Sequence, residues 1–194
     1  MTETALNRRK VVAELLKDRG DLIVVTGLGS PTYDVMAAGD HERNYYLWAA
    51  MGSAATVGLG LSLSRPQDSV LVVTGDGEML MGMGALATIA VQSPKNLSIA
   101  VLDNVHYGET GMQRSHAGFG VELDQVASSL NFGWSASIVD MAAVHDLREL
   151  IHARKSLNFA SVKVDTAEEA RVLPSRDGVY VKNRLKAALG QQTF

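Results

Sequence analysis

Short runs of apolar, mostly β-branched residues recur along this chain, and segments with helical spacing separate them. Five such runs occur, at residues 22–26, 70–74, 97–102, 134–139 and 159–164. Continuous apolar runs of this kind are typical of strands that are covered on both faces. Strands that alternate with helices favour a parallel sheet with helices on both faces. The pattern therefore predicts an α/β fold.

The spacing of apolar residues also predicts the helices and the extent of the domain. Helices are expected at about residues 3–18, 50–64, 79–92, 124–131 and 140–153, with a last one from about residue 178. The chain has 194 residues, which is enough for one domain with a sizeable core. We expect residues 1–165 to form this single domain. Residues 166–194 are expected to form a connector and a helix that packs on the domain or on a partner.

The composition excludes several classes of protein. Hydrophobic residues make up 46% of the chain and charged residues 20%, which indicates an ordered globular domain. A net charge of −3 gives no support for binding to nucleic acid. The absence of cysteine excludes a disulfide scaffold, a cysteine-ligated zinc site and a thiol nucleophile. Since no secretory signal is visible, we expect a cytoplasmic protein.

One stretch, residues 47–64, carries no charge and is 18 residues long, close to the minimum for a membrane span. It contains several glycine, serine and threonine residues, which lipid does not favour. Small residues let two backbones approach closely, so a helix packed deep inside the protein is the better interpretation. We expect no association with a membrane.

Charge is scarce over a much longer part of the chain. Between residues 44 and 102 the only charged residues are Arg65, Asp68, Asp76, Glu78 and Lys95. Two of the predicted helices lie in this part, and a helix at the surface of a monomer normally exposes charged side chains. We therefore expect another chain to cover these helices, so that the protein is an obligate oligomer.

The rule that ligands bind at the carboxyl ends of parallel strands selects three loops: Gly27–Pro31, Gly75–Glu78 and Asn104–Gly120. In the second loop, two glycines allow a tight turn that exposes backbone N–H groups. The helix that follows adds the positive end of its dipole, which suits a phosphate. Asp76 stands where a hard cation bound to that phosphate would lie. A plain strand-to-helix turn without a ligand explains this loop alone equally well.

Asn104 provides the second half of the signal, because it follows the next predicted strand. The carboxyl ends of neighbouring parallel strands lie side by side. The side-chain oxygen of Asn104, and a backbone carbonyl just beyond it, would then reach the same cation as Asp76. Mg²⁺ in proteins takes one or two carboxylates together with phosphate oxygens and water.

This pair of loops resembles the diphosphate-binding motif of thiamine-diphosphate enzymes, with Asp103 in place of the first of two asparagines. The resemblance implies the thiamine-diphosphate-binding fold and Mg²⁺ held by Asp76, Asn104 and the backbone carbonyl of His106. It also implies cofactor contacts from the rest of these two loops, at Gly75, Asp76, Gly77, Glu78, Asn104, His106, Tyr107, Gly108, Glu109 and Thr110.

A third match lies upstream, where residues 46–52 (YLWAAMG) resemble the segment before a glycine-rich helix in the same family. By that resemblance, the Met51 side chain would hold the cofactor in its bent shape. The Ala49 carbonyl would accept a hydrogen bond from the aminopyrimidine. Ala49 and Ala50 replace a Gly-Ser pair, and both are small enough to leave the backbone free. Without the other matches, ordinary core packing would explain Met51.

Within the family, residues 107–113 (YGETGMQ) and 83–89 (MGALATI) are similar to the two-chain sulfopyruvate decarboxylases and the phosphonopyruvate decarboxylases. This similarity implies the β subunit of an enzyme that removes CO₂ from a small anionic 2-oxo acid without oxidation and releases an aldehyde. The family's activating glutamate lies in a second, pyrimidine-binding domain, for which the 194 residues leave no room. A partner α subunit in a hetero-oligomer would supply it.

A polar loop follows the predicted metal site and includes Gln113, Arg114, Ser115 and His116. We expect Gln113 and His116, together with Met51, to act on the substrate. Arg114 and His116 are the candidates for contact with its anionic groups. Arg114 stands where proline is usual in the family, so the exact substrate is open. A solvated surface loop is an equally good explanation.

Two other functions stay open at this point. One is a split carboligase of the acetolactate-synthase type, which would use the same cofactor for a different reaction. The other is a non-catalytic nucleotide-binding or regulatory module. Against the second stands the absence of GxGxxG and GxxxxGK[ST] patterns from the loops.

Overall fold

A six-stranded parallel sheet forms the centre of the fold in the computed structural model, which describes residues 5–193. Its strands in chain order are β1 (Ile23–Thr26), β2 (Asn44–Tyr46), β3 (Val70–Gly75), β4 (Leu97–Asp103), β7 (Trp134–Ile138) and β8 (Asn158–Lys163). Across the sheet the order is β2-β1-β3-β4-β8-β7. A short antiparallel hairpin, made of β5 (His106–Tyr107) and β6 (Gln113–Arg114), follows β4.

Helices cover both faces of the sheet, and each face has its own hydrophobic core. The helices are α1 (Arg8–Leu15), α2 (Ser30–Ala37), α3 (Ala54–Ser64), α4 (Asp76–Met81), α5 (Ala85–Gln92), α6 (Leu123–Ser129), α7 (Met141–Ala153) and α8 (Gly178–Ala188). Apolar side chains of α1, α2 and α7 contribute to one core, and those of α3 to α6 contribute to the other. The predicted α/β class is therefore confirmed.

The strand residues divide between these two cores by simple alternation. In β3, Val70 and Val72 belong to the core beside α3 to α6, whereas Leu71 and Val73 belong to the core beside α1, α2 and α7. Successive side chains of a strand point to opposite faces, so a strand buried on both faces must be apolar at every position. This requirement explains the continuous apolar runs in the sequence.

The five predicted strands are all present, but the sequence did not reveal β2, α2 or the short hairpin. The helix predicted at 79–92 is two helices, α4 and α5, with a break at residues 82–84. Close contact explains the break: a Cβ on Gly82 would lie 2.0 Å from the Gly52 carbonyl oxygen. The helix predicted at 50–64 begins at Ala54, because Ala49 (φ 60°) and Gly52 (φ 86°) have left-handed backbone conformations that end the preceding segment in a turn.

The helix predicted near the start of the chain is shorter than expected, since α1 runs from Arg8 to Leu15, and residues 1–4 lie outside the described part. The chain between β8 and α8 has no regular secondary structure over residues 165–177. In residues 5–193, no helix has both the length and the apolar character that crossing a bilayer requires.

Helix α8 packs against the β2 edge of the sheet and contributes Val181 to one core and Leu185 to the other. Arg184 fastens it there, because its Nη1 donates to Asp40 at 2.6 Å and its Nη2 donates to the carbonyl of Asn44 at 3.2 Å. Burial alone would raise the pKa of Asp40. The hydrogen bonds from Arg184 and Tyr46 outweigh burial and hold that pKa below its usual value.

We expect Arg184→Met to lower the free energy of unfolding by about 1 kcal/mol at neutral pH, because a charge-assisted bond is lost at a partly exposed site. Asp40 has a lowered pKa, so its contribution is present above the usual carboxyl pKa and disappears as the pH falls through the native value. The deficit should therefore shrink in acid, as measured by urea unfolding from pH 7 to pH 3. Lys182→Met on the same helix is the control, and an equal loss in both variants would contradict this role of Arg184.

Candidate active site

Two strand ends meet at the edge where the sequence predicts a ligand. In the β3–β4 pairing, Gly75 lies opposite Leu102. The following residues, Asp76 at the start of α4 and Asp103 at the end of β4, therefore lie side by side, and Asn104 follows directly. The register of two apolar strands thus brings together the groups that the sequence separates.

A cavity of about 320 Å³ opens at this edge. Its wall includes most of the predicted site residues, namely Met51, Gly75, Asp76, Gly77, Glu78, Asn104, His106, Tyr107, Gly108, Glu109 and Thr110. Arg8, Leu28, Ser30, Pro31, Met81, Leu102 and Val164 complete the lining. Ala49, Gln113 and His116 are not part of it. The structure therefore assembles the predicted phosphate and metal groups around one space and leaves three predicted site residues outside its wall.

Asp76 is the most perturbed carboxyl group of this site. Its residue is only 2% exposed, and burial raises its pKa to about 6, with a further increase from the nearby charge of Asp103. Ser115 acts in the opposite direction, because its hydroxyl donates a hydrogen bond to Oδ2 of Asp76 at 2.5 Å. A buried carboxylate with a raised pKa next to a cavity is typical of a functional group.

The hairpin of β5 and β6 places Ser115 over Asp76. Ser115 directly follows β6, is completely buried, and donates its backbone N–H to the carbonyl of Val105 at 2.8 Å. Tyr107 in the same hairpin packs on Gly77, where an added Cβ would lie 2.6 Å from the ring. Gly77 thus lets the hairpin close on the loop, and the closed hairpin supplies the hydrogen bond to Asp76.

Asp103, the residue that departs from the family motif, has its charge balanced on the side of β8. Its Oδ2 accepts hydrogen bonds from Lys163 Nζ at 2.5 Å and from Ser161 Oγ at 3.0 Å. Its Oδ1 accepts the backbone N–H of Val105 at 3.1 Å. These partners compensate a carboxylate that is 2% exposed. Asp103 therefore supports the turn that carries Asn104.

Asn104 and His106 form a tight turn at the end of β4. The side-chain oxygen of Asn104 accepts the backbone N–H of His106 at 2.9 Å, and the Asn104 carbonyl lies 2.7 Å from Nδ1 of His106. The oxygen donors at this edge are a carboxylate, an amide and backbone carbonyls. Among the described residues, no three histidine, cysteine or acidic side chains form a metal cluster, so amide and carbonyl oxygens would have to complete the set. An all-oxygen set of this kind suits Mg²⁺.

Glu78 lies two residues after Asp76 and holds together three segments around the cavity. Thr74 Oγ1 donates to its Oε2 at 3.0 Å, and a Cβ on Gly27 would lie 1.6 Å from the same oxygen. Burial raises the pKa of Glu78, while hydrogen bonds from Thr74 and from the backbone of Gly52, Leu28 and Ala54 lower it in part. Glu78 thus holds the loop after β1 and the segment before α3 against α4.

The remaining predicted residues lie around the cavity mouth and beyond it. Met51 is at the mouth and is 42% exposed. Gln113 and Thr110 bond to each other, with Gln113 Nε2 donating to the Thr110 carbonyl at 2.9 Å and Thr110 Oγ1 donating to Gln113 Oε1 at 3.0 Å. His116 Nδ1 lies 3.2 Å from the hydroxyl of Tyr107, and Arg114 donates to the Gly118 carbonyl. Their predicted contact with a substrate stays a prediction.

Sequence reasoning missed two features of this site. It included Ser115 only as part of a polar loop, because the hydrogen bond to Asp76 depends on how the hairpin folds back. It missed Arg8 completely, since the residue lies on the first helix, far from every motif. The parallel bridge between Leu6 and Val164 brings the start of α1 to the same edge of the sheet. The rule on strand ends did select the loop that contains Leu28 and Ser30.

Comparison with known proteins agrees with this geometry. A family model described as thiamine pyrophosphate enzyme, C-terminal TPP binding domain, matches residues 29–166. Sulfopyruvate decarboxylase subunit beta of Methanocaldococcus jannaschii is 37% identical over 121 residues, which is 62% of this chain and 64% of that protein. The same subunit of Methanothermobacter thermautotrophicus is 39% identical over 127 residues, which is 66% of this chain and 68% of that protein.

Two further proteins extend the comparison. Phosphonopyruvate decarboxylase of Streptomyces viridochromogenes is 40% identical over 123 residues, which is 63% of this chain but only 30% of that enzyme. The crystal structure of benzoylformate decarboxylase from Polynucleobacter necessarius superposes with a TM-score of 0.67 and 15% identity, over 84% of this chain and 34% of that chain. This last likeness concerns the fold alone.

Asp76→Asn should remove a pH dependence from the stability of the ligand-free chain. Because the native pKa is about 6 and the usual value is 3.8, native wild type binds more protons than the unfolded chain between these values. Its stability should therefore fall as the pH rises from 4 to 6. The free energy of unfolding of the variant relative to wild type should therefore increase by about 2 kcal/mol between pH 4 and pH 6 and change little above pH 6. Chemical unfolding in the presence of a chelator measures the difference, and parallel pH profiles would contradict the assignment.

Ser115→Ala should move the same transition to a higher pH, because it removes a donor that stabilises the Asp76 carboxylate. The measurement is the pH midpoint of the stability difference, or the carboxyl resonance of Asp76 followed by NMR. Ser129→Ala is the matched control, since that hydroxyl bonds only to the carbonyl of Val126 in its own helix. An unchanged midpoint in Ser115→Ala would mean that the hydroxyl does not stabilise the charge.

Proposed function

The chain belongs to the thiamine pyrophosphate enzymes, with the domain that binds this cofactor, and from that membership we propose that it is the β subunit of a two-chain 2-oxo acid decarboxylase. The substrate class we propose is a small anionic 2-oxo acid, 3-sulfopyruvate or 3-phosphonopyruvate. The single observation that carries the proposal is the cavity at the β3–β4 edge, where Asp76 and Asn104 lie together.

The residues of this cavity fit thiamine diphosphate and Mg²⁺. The donor set of a carboxylate, an amide and carbonyls is the one that a hard cation prefers. Glycine at position 77 lets the Tyr107 ring pack directly on the loop, so that the hairpin closes beside the metal ligands. Asp76, Asn104 and the His106 carbonyl would hold the metal. Backbone groups of Gly75–Glu78 and of Gly108–Thr110 would hold the diphosphate.

When bound, the cofactor supplies the electron sink that makes loss of CO₂ from a 2-oxo acid possible. The chain's own contribution is to bind, orient and shield. Met51 projects at the cavity mouth, where an apolar side chain would keep the bent shape of the cofactor. Ala49 has a positive φ of 60°, a conformation that glycine, the family's residue at this position, adopts without strain. The carbonyl of Ala49 would accept the bond from the aminopyrimidine.

We also propose that a partner chain covers the helices beside the cavity. The exposed residues of α3, α4 and α5 in the single chain are uncharged, and they include Leu63 (49% exposed), Met81 (57%) and Val91 (82%). Of these residues Met81 also lines the cavity, and an uncharged surface with large exposed apolar side chains is typical of an obligate interface. The partner would be an α subunit with the pyrimidine-binding domain and its activating glutamate, in a hetero-oligomer.

Substrate recognition is assigned to the hairpin beside the cavity. Gln113, Arg114 and His116 are exposed or nearly so and lie on the hairpin or just after it. In the single chain Arg114 donates to Gly118 and stacks over the Phe119 ring, with 4.8 Å from Cζ to the ring centroid. A sulfonate or phosphonate would have to replace these contacts. In this proposal residues 1–165 carry the cofactor site, and residues 166–194 connect and brace it.

The test of the substrate class uses the chain reconstituted with its partner subunit, thiamine diphosphate and Mg²⁺. Release of CO₂ is measured with sulfopyruvate, phosphonopyruvate and pyruvate, each with and without a second 2-oxo acid as acceptor. The proposal expects release from the sulfo or phosphono substrate without an acceptor. Product formation that needs an acceptor would identify the chain as part of a carboligase, and absence of cofactor binding would end the proposal altogether.

Asp76→Ala should reduce CO₂ release by the reconstituted enzyme at least about 100-fold, because the cation would lose its only carboxylate among these ligands. Asp146→Ala is the matched control, since that side chain is 81% exposed on α7. Turnover at the wild-type rate in Asp76→Ala, with the control also active, would reject the metal assignment.

A further inference from the structure

Arg8 is a buried arginine that no motif predicted. It is the first residue of α1 and is 8% exposed. Its Nη1 donates to Oδ2 of Asp34 at 2.6 Å. It also forms part of the cavity wall, together with Ser30, Asn104 and Gly108. Arginine is seldom buried without a specific partner, and here the burial places a guanidinium at the edge of the ligand space.

The charges of the cavity wall make Arg8 exceptional. Among the described residues that line the cavity, the carboxylates are Asp76, Glu78 and Glu109, whereas Arg8 is the only lysine or arginine. A cofactor that ends in a diphosphate brings further negative charge into this space, and one divalent cation balances only two charges. Among the described lining residues, Arg8 is therefore the one side chain with a permanent positive charge that could bind the phosphates.

The ion pair with Asp34 does not use all the donors of Arg8, because it occupies only Nη1 of the guanidinium. Asp34 is completely buried and accepts from two arginines, with Arg9 Nε donating to its Oδ1 at 3.1 Å. Two guanidinium groups share this carboxylate, while Glu169 balances the charge of Arg9. Arg9 turns outward, where its Nη2 donates to the Ala170 carbonyl and its Nη1 lies 3.8 Å from Glu169. The pair thus fixes Arg8 at the cavity and leaves Arg9 outside the cavity lining.

We infer that Arg8 is a binding residue for the phosphate end of the cofactor, with Asp34 as the residue that positions it. The inference rests on the cofactor site proposed above. A planar guanidinium with several donors suits phosphate oxygens, and a partner that fixes its plane reduces the entropy lost on binding. Asp34 therefore orients the guanidinium of Arg8, whereas Arg9 contacts the same carboxylate from outside the cavity lining.

The experiment compares three variants of the full chain in their binding of Mg²⁺ with inorganic pyrophosphate, followed by calorimetry and by the shift in melting temperature. Arg8→Gln removes the guanidinium from the cavity. Arg9→Gln removes one positive charge from the same carboxylate but leaves the cavity wall intact. The double variant Arg8→Gln with Asp34→Asn keeps the local net charge of wild type. It also removes the carboxylate that would otherwise stay buried without Arg8 as its partner.

We expect pyrophosphate to bind at least about 10-fold more weakly to Arg8→Gln and to the double variant, while Arg9→Gln stays within about 2-fold of wild type. If Arg8→Gln does not fold, the double variant decides the question. Binding by the double variant at wild-type strength, or an equal loss in Arg9→Gln, would overturn the role of Arg8. Failure of wild type itself to bind pyrophosphate in the presence of Mg²⁺ would instead reject the cofactor site on which the inference rests.

Discussion

The pairing of β3 with β4 is the constraint on which the rest of the site depends. The register of the two strands sets Gly75 opposite Leu102, so that the acidic residues that follow, Asp76 and Asp103, lie side by side where the strands end. Two buried carboxylates side by side destabilise each other, and each needs compensation from its own direction. Asp103 obtains it from Lys163 on β8. Within the described chain Asp76 obtains only neutral donors, the Ser115 hydroxyl and backbone N–H groups, and burial raises its pKa to about 6.

This asymmetry has a functional meaning. A carboxylate fully paired with a cationic side chain has little to offer a metal ion, whereas one that is buried, oriented by a hydroxyl and short of positive charge is ready for one. The substitution of aspartate for the family's first asparagine does not disturb this readiness, because Lys163 and Ser161 take up the added charge. The buried charge of Asp76 therefore lowers the stability of the fold, whereas the paired charge of Asp103 does not.

The sequence was sufficient for the parts of the structure that rest on local pattern. The strand Val70–Gly75 is predictable because both of its faces are apolar, and the loop after it follows from the glycines at 75 and 77. The hydrogen bond from Ser115 was not predictable, because it depends on a hairpin whose two strands have only two residues each. Strands this short show no periodic pattern of apolar residues. Arg8 was not predictable either, since its place at the cavity follows from a single bridge between the chain's first described residues and the end of β8.

The two sides of the cavity differ in how complete they are, and that difference is physical. On the side proposed for the phosphates, the buried carboxylates of Asp34, Glu78 and Asp76 each accept a hydrogen bond from a side chain. The ion pair with Asp34 holds the Arg8 guanidinium in place. On the other side, Met51 and Met81 are large apolar side chains left about half exposed, at 42% and 57%. Exposed apolar area at the mouth of a polar cavity leaves water beside the reacting groups, and such a site discriminates poorly between charged and neutral states. A second protein surface over these methionines would exclude that water. In the proposed assembly, the polar half of the site belongs to the fold of this chain, and the partner chain would form the dry half.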